Sequence, residues 1–189
     1  MISLVQLWLP ILLSAIGVFI ASSVLHMMLK FWHLKDNKGF ANEDEVAAAI
    51  RKGTSKPGIY MLPYCTMENA KSPEVKRKLA EGPVGIMFLR GSGSTGMGLT
   101  LVQWFVFILI VSLFAAYVAT TTLTAATVDM QVFRVVGIVS FMAYAFGVVP
   151  YGIWWGQPWN AVFKDVVDGL IYGLITGALF AWLWPAAAN

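Results

Sequence analysis

The chain has 189 residues, of which 58% are hydrophobic and only 12% charged, against about 45–50% and about 25% in an ordinary soluble domain. That balance excludes a disordered chain, a coiled coil and an ordinary soluble enzyme, and it marks an integral membrane protein. The net charge of +3 is the basic bias of loops retained on one side of a membrane; neither terminus carries a basic arm for nucleic acid. The single cysteine, Cys65, excludes an intramolecular disulfide and any metal site built on a cysteine cluster.

In chain order, residues 4–29 form the first apolar stretch, near the roughly 20 residues a bilayer requires. It lacks a basic leading region and a small-residue cleavage site, so it reads as a retained span and not a signal peptide, bent at Pro10. A polar segment follows, residues 31–98. Asn42 and Glu45 resemble a capping box ahead of Val46 and Ile50, and Gly53 stops that helix. Residues 58–64 read as a strand. Ser72, Pro73 and Glu74 open a second helix that ends at Gly82, and residues 84–89 read as a second strand. Three further apolar stretches, residues 99–120, 132–151 and 161–184, complete four spans. The expected fold is an all-α membrane protein: a four-helix transmembrane bundle with a small α/β cytoplasmic insertion between the first and second spans. The expected division is residues 1–30, 31–98 and 99–189.

Orientation follows from the basic residues. Eleven of them lie between spans one and two, Lys30, Lys35, Lys38 and Arg90 flanking the membrane, and Lys164 falls on the same side; Arg134 alone falls on the other. The bias places residues 31–98 in the cytoplasm and both termini in the periplasm. The tryptophans agree. Trp32, Trp104, Trp154, Trp155 and Trp159 fall at the inner ends of the spans, and Trp8, Trp182 and Trp184 at the outer ends, where an amphipathic ring meets the headgroups.

Three motifs read as packing or hinge devices. Gly91, Gly93 and Gly96 spell G-x-G-x-x-G, but the next helix is a span and no acid follows about 20 positions later, so this is a hinge and not a nucleotide fingerprint. Gly169, Gly173 and Gly177 share one face of span four and let another helix approach closely, from this chain or from a second copy. The nine methionines are scattered and read as packing.

One constellation carries chemistry. The two histidines, His26 and His33, flank Lys30 at the inner end of span one, and a regular helix puts the three within about 60° of one another. Asp165 and Asp168 lie at the inner end of span four, with Tyr172 one turn deeper than Asp168. The partners expected for the two carboxylates are His26, Lys30, His33 and Lys164, because ionisable groups at membrane depth need a counter-charge. His26 and His33 lie roughly 10 Å apart along a regular helix. One ion therefore takes one histidine, Asp168 and another group, or ligands from a second subunit, as long as that helix stays regular.

His26-Met-Met-Leu-Lys-Phe-Trp-His33, Pro57-Gly-Ile-Tyr-Met-Leu-Pro63, Glu81-Gly-Pro-Val-Gly85 and Asp165-Val-Val-Asp-Gly-Leu-Ile-Tyr172 together resemble a family of small bacterial inner-membrane proteins of unassigned function. The resemblance implies a bacterial inner membrane and brings no activity, cofactor or catalytic residue with it. No nucleophile, base and acid occur in a catalytic order, and no H-E-x-x-H or paired cysteine is present. The leading expectation is a non-catalytic membrane protein, a homo-oligomer or an accessory subunit of a larger assembly, with no cofactor. The second is a membrane metal- or haem-binding protein using His26 and His33 with Asp165 and Asp168. The third, a small channel or carrier, has little polar lining to support it.

Overall fold

A computed structural model describes residues 2–54, 56–91, 93 and 96–185. It is mostly helical, and four helices are long and apolar enough to cross a membrane: Leu4–Met28, Met97–Thr122, Asp129–Trp154 and Trp159–Trp182. The described residues divide into two compact units. One holds the spans, residues 2–37, 96–152 and 158–185; the other holds residues 38–54, 56–91, 93 and 153–157.

In the first unit, span one is composite. A 3-10 turn, Leu4–Leu7, leads into α1, Trp8–Ser23, and a π turn, Val24–Met28, ends it. The winding changes just ahead of Pro10, whose ring cannot donate to the carbonyl one turn back. Span two is α4, Met97–Thr122. Span three is α5, Asp129–Ala145, and after a short break α6, Val149–Trp154. Span four is α7, Trp159–Trp182.

The tightest pairing is α5 against α7, and glycine makes it possible. A Cβ at Gly169 would come within 2.8 Å of the Ala145 Cβ, one at Gly173 within 2.9 Å of the Gly137 carbonyl oxygen, and one at Gly177 within 2.8 Å of the Phe133 carbonyl oxygen. Such close approach gives the dispersion contacts that hold helices together where lipid removes the hydrophobic drive. The glycine face of span four is thus filled by α5 of the same chain and supplies no argument for a second copy. Leu7, Ala115, Ala119, Val132, Val136 and Phe180 form one buried cluster, and Ala15, Val18, Ile108 and Tyr172 a second. Large apolar side chains face outward, Val106, Ile110 and Phe114 on α4 and Leu170 and Leu174 on α7 among them, as contact with lipid requires.

The second unit runs α2, Glu43–Gly53; β1, Gly58–Leu62; α3, Pro73–Glu81; and β2, Gly85–Leu89. The strands pair antiparallel, Gly58 opposite Leu89 and Leu62 opposite Gly85. Ser72 caps α3 by accepting the Val75 N–H at 3.2 Å, Pro73 occupies the first turn, and Gly82 ends the helix at φ +63°, a conformation that favours glycine. Asn42 departs from the expected box: its amide meets the Glu45 carboxylate at 2.9 Å and not the backbone. Phe88 and Trp155 bring their rings within 5.8 Å and join residues 153–157 to this unit. Of the glycine hinge, Gly93 has φ +101°, while residues 92, 94 and 95 lie outside the described residues.

Candidate metal centre

The site exists because span one does not stay a regular helix. In the π turn the Leu29 N–H reaches the Val24 carbonyl at 3.0 Å, and Leu29 then leaves the helical region at φ −85°, ψ 73°. The chain turns back on itself: the Lys30 N–H bonds to the Met28 carbonyl and the Trp32 N–H to the Leu29 carbonyl. A 3-10 turn, Leu34–Asp36, follows. Instead of lying about 10 Å apart along one helix, His26 and His33 stack, with ring centroids 4.3 Å apart and planes within 14°. This corrects the regular-helix expectation twice over. The two histidines come together, and Lys30, on the outside of the turn, is exposed and lies outside the cluster.

Both rings meet one carboxylate. His33 Nε2 lies 2.6 Å from Asp168 Oδ2 and His26 Nε2 lies 3.8 Å from the same oxygen. The Trp32 indole donates to Asp168 Oδ1 at 2.7 Å. Asp168 is 2% exposed. Such a carboxylate is too costly to leave without charge compensation or hydrogen bonds.

The far side of each ring is also backed by oxygen. His26 Nδ1 is 3.1 Å from the Ser22 carbonyl; a carbonyl only accepts, so Nδ1 carries the hydrogen and the neutral ring keeps a lone pair on Nε2. His33 Nδ1 is 3.7 Å from Asp36 Oδ2. Asp36 in turn receives the Lys164 ammonium at 2.7 and 2.9 Å, and that ammonium sits 5.9 Å from the Trp32 ring centroid. Lys164 therefore serves Asp36, a loop acid, and not Asp168.

Trp32 and Asp36 are the residues that sequence reasoning missed. Trp32 reads as one more interfacial tryptophan and Asp36 as a loop acid; only the reversal at Leu29 delivers them to α7. Asp36 lying three residues after His33 is the signal that could have found it.

Among the described residues, His26, His33 and Asp168 offer ligand atoms that all lie within 4.8 Å of one another. Tetrahedral zinc with bonds of 2.0–2.1 Å spaces its donors about 3.3 Å apart. The 2.6 Å pair must open and the 3.8 Å pair must close by less than 1 Å each, and the stacked rings must splay so that both ring planes meet at the ion. Histidine ligands commonly pass their second ring nitrogen to a carbonyl or carboxylate, and Ser22 and Asp36 stand in those places. Asp165 lies outside this triad.

Beside the triad opens a cavity of about 490 Å³ among α1, α4, α5 and α7. His26, Asp165 and Asp168 are part of its lining, as are Leu101, Trp104 and Tyr144. The Trp104 indole is fixed by donating to Ser22 Oγ at 2.9 Å. Tyr172 also lines it, and its hydroxyl is buried with no hydrogen-bond partner among the described residues. No family model, curated protein or solved structure matches the chain, so the reading of this site rests on its own geometry.

Proposed function

We propose that the chain is a multi-pass membrane protein that binds one divalent transition-metal ion through His26, His33 and Asp168. The observation that carries the reading is the convergence of both Nε2 atoms on Asp168 Oδ2, each ring backed at Nδ1 by an oxygen. Two imidazoles and a carboxylate suit zinc, ferrous iron or manganese. Two imidazole nitrogens beside the same carboxylate oxygen suit a single ion better than a haem, whose two axial ligands approach from opposite faces. Three protein ligands leave a coordination position open, as in metal sites that act on a bound molecule.

His26 provides the test. It is a ligand here, but Trp32 and His33 hold Asp168 without it. Titration of the purified chain with zinc should show one site, and His26→Ala should weaken it by more than about 100-fold, since even removal of an outer partner costs 10–100-fold. Thermal stability without metal should be unchanged. Equal zinc affinity in both proteins would contradict the reading.

A second reading has its own support. Trp32, His33 and the Asp36–Lys164 pair satisfy the buried carboxylate without an ion, so the same contacts can serve only to clasp residues 29–37 onto α7. The chain is then a non-catalytic accessory subunit or homo-oligomer, and His26→Ala is silent.

For location we propose a bacterial inner membrane with the second unit in the cytoplasm. The basic residues between spans one and two and the family resemblance support this. A membrane-impermeant thiol reagent should reach Cys65 only from the cytoplasmic side, and a cysteine introduced at Asn189 only from the periplasmic side. Labelling of both from one side would contradict the topology.

A further inference from the structure

The open position of the ion has a direction. His26 and Asp168 line the cavity, whereas His33 and Trp32, which both bond to Asp168, do not. An ion held by the triad therefore has two of its three ligands on the cavity wall.

The cavity is amphipathic. Its lining combines His26, Asp165 and Asp168 with apolar and aromatic side chains, Leu101, Trp104 and Tyr144 among them. The Tyr144 and Tyr172 side chains line it with their rings, and both hydroxyls are buried away from its surface with no hydrogen-bond partner among the described residues.

From these observations, and resting on the metal reading above, we infer that the cavity takes a single-chain amphiphile whose anionic oxygen head, a carboxylate or phosphate, completes the coordination of the ion while its hydrocarbon tail lies between Leu101, Trp104 and Tyr144. Charge makes this conditional on the metal. Without the ion the Asp168 carboxylate repels an anion, and a divalent ion bound by that carboxylate and two neutral imidazoles has one net positive charge that attracts one. The tail gains by leaving water for an apolar wall, so affinity rises with chain length.

Cobalt(II) in place of the native ion reports both steps, because its visible absorption changes when its ligands change. The full chain, in nanodiscs of neutral phosphatidylcholine, is loaded with cobalt and titrated with acetate, octanoate, oleate, 1-oleoyl lysophosphatidate and dodecyltrimethylammonium. The absorption should shift with oleate or lysophosphatidate at concentrations at least 100-fold below acetate, with octanoate between and no shift from the cation. Whichever of the two long anions acts at lower concentration identifies the head. Leu101→Trp, which fills the tail space, should move the long anion's midpoint to that of acetate at unchanged cobalt content.

Cobalt that binds but responds equally to acetate and oleate, or to neither, overturns the amphiphile and leaves the metal reading standing. A shift from the cation overturns it as well. A chain that takes up no cobalt overturns both.

Discussion

Asp168→Asn should abolish metal binding and loosen the bundle at once. Asparagine keeps an oxygen for the Trp32 indole but loses the anionic oxygen that both imidazoles face. A hydrogen bond to a charged group contributes about 2 kcal/mol. In a chain of this size that lowers the metal-free melting midpoint by about 4–8 °C. Zinc affinity should fall by more than about 100-fold, as expected when a ligand and not merely its supporting partner is removed. Calorimetric melting with and without zinc checks both parts. Zinc should raise the midpoint of the wild type, since a ligand that binds only the folded state stabilises it, and leave that of Asp168→Asn unmoved.

Gly173→Ile should be more damaging still to the fold. A Cβ there would stand 2.9 Å from the Gly137 carbonyl oxygen and 3.0 Å from the Phe141 backbone nitrogen. Both are backbone atoms of α5, which cannot rotate aside as a side chain can. Forcing extra side-chain volume into a packed interface typically costs about 1–3 kcal/mol and occasionally more, and with backbone on the facing side the cost here lies at the upper end and should drive α5 and α7 apart. Lower detergent stability and a proteolytically accessible span four are the expected readouts. Gly98 on α4 is the control, because none of the described residues lies within 4 Å of a Cβ placed there; Gly98→Ala should be neutral or stabilising by up to about 1 kcal/mol. Equal melting of Gly173→Ile and wild type would mean that the helices do not meet at this face.

The four spans were legible because a bilayer demands about 20 apolar residues in a row and little else satisfies that demand. The order of elements in the second unit was legible from punctuation: Gly53 and Gly82 end the helices, and Ser72 with Pro73 opens one. The glycines of span four announced a close neighbour, but a one-dimensional pattern does not say which helix it is; only the backbone of α5 does. The candidate site was legible in part. Two histidines and two span-four carboxylates stand out in a chain so poor in charge. Their convergence was not legible, because Val24–Met28 contains no proline or glycine to announce a π turn. A regular helix drawn through Leu29 keeps His26 and His33 apart and groups Lys30 with them. The reversal at Leu29 does the opposite. It also brings Trp32 and Asp36, residues with an ordinary appearance in sequence, against Asp168 and Lys164.

The central claim is that His26, His33 and Asp168 hold one ion together, and X-ray absorption at the zinc edge of the zinc-loaded chain tests it most directly. The account predicts a first shell of nitrogen and oxygen at about 2.0–2.1 Å, with no sulfur at about 2.3 Å, and outer-shell scattering from two imidazole rings that falls to one in His26→Ala. A shell of oxygen alone, or a spectrum unchanged by His26→Ala, would contradict it.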